Sequence, residues 1–134
     1  VLGIKEQITG YLGELAVERF FLWQGINCRR VNFSKFDALV DEEGCVYRLQ
    51  IKTSRKFNWR ITGGRNRQKP YSFDDIDGVV LVHIDAEGKD EFIFLSKEDV
   101  AHFPANKNDQ FYGQVGWNNL KAYLHCCKDN KNAS

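Results

Sequence analysis

Between Cys45 and Thr53 the chain alternates without a break. Cys45, Tyr47, Leu49, Ile51 and Thr53 fall on one face, and Val46, Arg48, Gln50 and Lys52 on the other. Strand side chains project to opposite faces with a period of two, so this run is a strand with one core face and one face bearing polar groups and charge. Residues 36–41 alternate as well, and Glu42-Glu43-Gly44 between the two runs is a turn signal, so they form a hairpin. Reflection about that turn sets Asp37 opposite the neighbourhood of Gln50, with Lys52 on the same face as Gln50. A carboxylate, an amide oxygen and an ammonium therefore converge at one end of the hairpin.

The remaining elements group around it. Val79-Val80-Leu81-Val82 is apolar without alternation, which marks a strand over 79–84 covered on both faces, and 92–95 follows it across Asp85-Ala86-Glu87-Gly88. Residues 26–31 give a short strand. Residues 5–24 read as a helix, with Ile8, Leu12, Leu15, Arg19 and Leu22 near one face and Tyr11 and Trp23 flanking them. Glu14 and Glu18 lie one turn apart beside that stripe. Gly10 and Gly13 each cost a helix about 1 kcal/mol relative to Ala, so they point to a close approach by another backbone or a ligand. Ser96, with a carboxylate at Asp99, caps a short helix. Residues 106–114 read as polar loop, Trp117, Leu120, Lys121 and Leu124 as a last short helix, and the tail from Lys128 as frayed. The expected fold is a single α/β domain over 1–134, an α+β mixed sheet with the first helix packed on it.

Charge narrows the function. The net charge is only +1, but residues 48–73 hold eight Lys and Arg and no acid, while the rest of the chain carries 11 basic against 18 acidic residues. One positive face on an otherwise acidic body suits a polyanion, usually nucleic acid. The stretch 55–70 interleaves Arg and Lys with Phe57 and Trp59 around Gly63-Gly64, which reads as a basic β-ribbon of a size the major groove admits. Arg65, Arg67 and Gln68 carry donors suited to purine edges, Lys56 and Lys69 suit phosphates, and Arg55 and Arg60 extend the same surface. Trp59 and Phe57 suit core or hairpin support better than intercalation.

Other chemistries find little support. The cysteines at 28, 45, 126 and 127 form no CxxC pair, and with His83, His102 or His125 they offer no zinc spacing. Reduced thiols and an intracellular, cytoplasmic setting are expected. The opening residues show no secretory-signal pattern, and no apolar run reaches the ~20 residues of a membrane span.

Glu14 on the first helix, Phe36-Asp37-Ala38-Leu39-Val40 on one strand and Leu49-Gln50-Ile51-Lys52-Thr53-Ser54 on the next resemble the PD-(D/E)XK nuclease superfamily in residue type and order. With Asp74-Asp75-Ile76-Asp77-Gly78-Val79-Val80 and Phe92-Ile93-Phe94-Leu95, the chain is similar over most of 5–103 to one branch, the homing endonucleases encoded in group I introns of cyanobacteria. The resemblance implies a restriction-endonuclease-like core with flanking helices. Asp37, the Gln50 side-chain oxygen and the Ile51 carbonyl would hold Mg2+, or Mn2+ or Ca2+ in its place. Lys52 would orient water or stabilise developing phosphate charge, and Glu14 would act near the metal, with Glu18 as runner-up. The chain departs from the family pattern in having Gln50 where an acid is usual and Phe36 where the family has Pro.

The implied activity is metal-dependent, site-specific cleavage of double-stranded DNA. One small site cuts one strand, so a homodimer or homotetramer is expected. Two alternatives remain: a Holliday-junction resolvase or repair nuclease on the same core, and a non-catalytic DNA-binding module with a degraded site.

Overall fold

The structure is a computed structural model that describes residues 2–31, 36–56, 59–60, 75–96, 99–100, 106–107 and 116–133. In chain order the elements are α1 (Leu2–Trp23), β1 (Asn27–Arg30), β2 (Ala38–Glu42), β3 (Cys45–Ser54), β4 (Trp59–Arg60), β5 (Gly78–His83), β6 (Glu91–Leu95), β7 (Asn106–Lys107) and α2 (Trp117–Ala133).

The alternating run became β3, the third strand of a five-stranded sheet ordered β1-β2-β3-β5-β6. The turn before it is a two-residue loop: Glu42 pairs with Cys45, and Glu43 and Gly44 both take positive φ, 55° and 81°. That geometry matches the twist of a hairpin and is strained for most side chains, which is what Gly44 relieves. β1, β2 and β3 form an antiparallel meander, β3 and β5 run parallel, and β6 returns antiparallel to β5. The sheet is therefore mixed, as expected.

Two cores lie on its two faces. The odd residues of β3 (Tyr47, Leu49 and Ile51) join Val80, Val82 and Phe94 under α1 and α2, while Val79, Leu81, Ile93 and Leu95 pack with Trp59, Ile76 and Val100 on the other side. Val79 to Val82 are fully buried, which explains an apolar run that skips alternation. Trp59 belongs to this second core and donates its indole N–H to the Val82 carbonyl at 3.1 Å. Ser96 and Asp99 cap reciprocally: the Ser96 N–H donates to the Asp99 carboxylate at 3.0 Å and the Asp99 N–H to the Ser96 hydroxyl at 3.2 Å.

Four expectations are corrected. α1 packs on the sheet through Gly13, Val17 and Phe21, whereas Ile8, Leu12 and Leu22 stay 40–52% exposed. The helix is apolar on two sides, so periodicity marked a helix without choosing its inner face. Gly13 chose it: a Cβ there would overlap the Thr53 side chain, so only glycine lets α1 settle this deeply on β3. The close approach foreseen at the helix glycines is thus to a side chain, while Gly10 has nothing within 4 Å of where its Cβ would be. β4 pairs with β7, out of a segment read as loop, and does so through Trp59↔Lys107 and Arg60↔Asn106. α2 continues to Ala133, past the expected fraying at Lys128.

Candidate active site

Asp37 stands just before β2. Its N–H donates to the Leu49 carbonyl at 2.9 Å, although the ladder pairs Leu49 with Ala38. Two successive residues opposite one is the offset of a β-bulge, a device that re-aims a side chain at a strand end. The Asp37 carboxylate continues the ladder where β2 has stopped and accepts the Ile51 N–H at 2.8 Å. In an extended strand a residue's N–H and C=O lie on one edge, so the Ile51 carbonyl faces the same gap.

Around this carboxylate the sequence candidates gather from both faces of the sheet. Burial raises the Asp37 pKa, against the lowering effects of the Ile51 hydrogen bond and the Lys52 ammonium. Lys52, on the face opposite α1, is thus near enough for its charge to favour the ionised Asp37. Glu14, half-buried on α1, is also raised, first by burial and then by the negative charge of Asp37, with Arg30 working the other way. Gln50 is half-buried on the Lys52 face, in register with Val79 of β5. Glu14, Asp37, Ile51 and Lys52 are therefore brought into one neighbourhood, with Gln50 two residues from Lys52.

Glu18, the runner-up for the helix acid, is engaged elsewhere. It accepts from Arg30 Nε at 3.3 Å. Arg30 also lies over the Tyr11 ring, 5.0 Å from its centroid. Sequence reading missed Arg30, which pairs with Glu18 and whose charge also favours the ionised Glu14. The signal available was its place on the short strand beside β2, in register with Ala38. Cys28 is buried there too, and burial, then Glu18, pushes its thiol up to about 12, so it stays protonated at neutral pH.

Of the residues expected on DNA, Arg55 and Lys56 are exposed at the end of β3. Arg60 is placed only by its backbone pairing in β4, and Arg65, Arg67, Gln68 and Lys69 lie outside the described residues. Arg48, part of the same basic stretch, is committed to structure: its backbone N–H donates to Asp77 Oδ2 at 2.7 Å and its Nε to the same oxygen at 3.3 Å.

The donor set fits a hard divalent cation: two carboxylates from different elements plus the carbonyl oxygens of Gln50 and Ile51. No cluster of three or more His, Cys, Asp or Glu able to hold a metal occurs among the described residues. Mg2+ commonly takes one or two carboxylates and fills its sphere with water and substrate phosphate, so Asp37 and Glu14 could hold it with few other protein ligands.

No family model matches the chain, and no curated protein does. Among solved structures the fold matches that of a bacterial homing endonuclease, I-Ssp6803I, with a TM-score of 0.59 over 96% of this chain and 97% of that one, at 15% identity. The fold is of the restriction-endonuclease-like type. At this identity the likeness speaks to the backbone arrangement, and the mixed sheet with α1 packed on it is the architecture expected from the order of elements in the sequence. No helix among the described residues is long and apolar enough to cross a membrane.

Proposed function

We propose that this chain is a divalent-metal-dependent endonuclease that hydrolyses specific phosphodiester bonds of double-stranded DNA, of the homing type. One observation carries the reading: Asp37 accepts the Ile51 N–H at the open end of the β2–β3 hairpin, within electrostatic reach of Lys52 and Glu14. The shared fold with a bacterial homing endonuclease and the basic stretch running on from Arg55 support it.

Asp37, the Gln50 amide oxygen and the Ile51 carbonyl would hold Mg2+, for which Mn2+ or Ca2+ could substitute as a ligand. When bound, the ion supplies a water of lowered pKa and neutralises phosphate charge. The chain's own residues do the rest. The Ile51 N–H fixes the orientation of the Asp37 carboxylate. Lys52 presents its ammonium beside Asp37, where it orients the attacking water or stabilises charge developing on the phosphate. Glu14 faces the same charge from α1. Arg55, Lys56, Arg60, Arg65, Arg67, Gln68 and Lys69 would hold the duplex, and a double-strand break would take two copies of the chain, as a homodimer or homotetramer. The outer face of α1, with Ile4, Ile8 and Tyr11 each about half exposed, is apolar surface open to a second copy.

The test is incubation with Mg2+ and a library of target duplexes, followed by recovery of cut ends. Cutting at a defined sequence, abolished in Asp37→Ala and Lys52→Ala with binding kept, is the expected result. Retained binding with no cutting under any divalent ion would instead favour a non-catalytic DNA-binding module, a reading that the neutral Gln50 keeps open.

A further inference from the structure

A second site lies beyond Lys52 along β3. The first turns of α1, at Lys5, Glu6 and Thr9, face residues 53–56 across a depression of about 360 Å³. Its lining has no apolar side chain: three cations (Lys5, Arg55, Lys56), one carboxylate (Glu6) and three hydroxyls (Thr9, Thr53, Ser54). Its balance of three positive charges against one negative suits an anion.

The hydroxyls are already oriented. Arg55 Nε donates to Thr9 Oγ1 at 2.9 Å, and the Lys56 N–H donates to Ser54 Oγ at 3.0 Å. A hydroxyl that accepts a hydrogen bond keeps its own O–H to donate. Arg55 spends its Nε on Thr9, and its two terminal nitrogens form the fork that meets phosphate oxygens in pairs. Its backbone carbonyl is also in contact with His83 Nε2 at 3.2 Å, which ties the loop to β5.

Position supplies the rest. Thr53 and Ser54 follow Lys52 directly, and Gly13, which packs on Thr53, adjoins Glu14. Thr9 is one turn earlier, about 6 Å along the helix axis, and duplex DNA advances about 3.4 Å per nucleotide. We infer that this depression binds a DNA backbone phosphate about two nucleotides from the scissile bond, with Thr9 and Ser54 donating O–H to its oxygens and Arg55 and Lys56 neutralising it. The inference rests on the nuclease reading and gives α1 a positioning task beyond Glu14.

The test uses the full chain and the target duplex recovered by selection, bound in Ca2+, with each phosphate replaced in turn by a neutral methylphosphonate. Wild type should lose affinity at a position two or three nucleotides from the cut. Thr9→Val/Ser54→Ala should bind the unmodified duplex roughly 10-fold more weakly and show a reduced sensitivity at that one position, Arg55 and Lys56 keeping the remainder. Glu6→Gln, which removes the sole carboxylate, should bind roughly 2- to 3-fold more tightly. Unchanged sensitivity at every position in the double variant, or no gain in Glu6→Gln, overturns the subsite while leaving the nuclease reading intact. If wild type binds no duplex at all, both fall. Glu6 is exposed while Thr9 and Ser54 are half-buried, so Glu6→Gln alone decides the matter should the double variant lose its thermal transition.

Discussion

The two ends of the β2–β3 hairpin each hold a carboxylate, and the two are treated in opposite ways. At the turn end, Glu42 accepts from Lys121 Nζ at 2.7 and 3.0 Å and from Trp117 Nε1 at 3.2 Å. Burial works to raise its pKa, but these partners outweigh it, and the net effect holds Glu42 below the usual glutamate range. That charge is answered by the fold, and it fastens α2 to the sheet beside the Tyr47–His125 hydrogen bond of 2.7 Å. At the open end, Asp37 is half-buried, feels the negative charge of a second carboxylate at Glu14, and stays raised despite the Ile51 hydrogen bond and Lys52. Its charge is answered only in part. A chain that keeps two repelling carboxylates half-buried bears a cost, which the proposed cation would remove. One end of the hairpin has its charge answered by the fold, and the other does not.

The largest expected effect separates the two ends by activity. Asp37→Ala should lower DNA cleavage by roughly 10³-fold or more, with the thermal midpoint changed little, because it removes the carboxylate ligand of the proposed metal. Glu42→Ala should leave cleavage within a few-fold of wild type, as gel assays on the selected target would read. Next, Glu14→Gln should reduce cleavage roughly 10- to 100-fold, the scale of groups that tune a metal site, whereas Glu18→Gln should stay within about 3-fold. Equal losses in both would mean that the helix acids act through Arg30 alone.

In stability the order reverses. Glu42→Ala should cost about 1–3 kcal/mol in urea unfolding, since it leaves the Lys121 ammonium and the Trp117 indole without their acceptor. Millimolar Mg2+ should raise the melting temperature of wild type by a few degrees and that of Asp37→Ala by none, following mass action on the folded state.

The smallest effect is one of pH. Glu42 holds its proton less tightly folded than unfolded, so its contribution is complete above the ordinary glutamate pKa and is lost as pH falls through its lowered value. Asp37 and Glu14 hold theirs more tightly folded, so their cost is present above their raised values and vanishes as pH falls below the unfolded ones. Acidification through the carboxylate range should therefore speed hydrogen exchange in α2 before it does so at the open end of β3. The reverse order would sink the comparison.

Much of this was legible in the chain. The strict alternation from Cys45 set both faces of β3, and reflection about Glu43-Gly44 set the register that brings Asp37 to the end of β3. The unbroken Val79–Val82 run announced an interior strand, and Ser96 with Asp99 announced a cap. These features are local, and their period or spacing has one geometric solution. The helix stripe was misjudged because α1 has two apolar sides and each satisfies the same period. The β4–β7 pairing was missed because two residues on each side carry no pattern.

By itself the order of residues determined the hairpin, its register, the interior strand and the identity of the groups at its open end, because backbone pleat and turn geometry act over a few neighbours. Tertiary structure alone decided which face of α1 turns inward, that Glu14 and not Glu18 faces Asp37, and that Arg48 serves Asp77 instead of a ligand. Those choices depend on how closely Gly13 lets the helix approach Thr53, and on which charges then lie within reach of one another across the sheet.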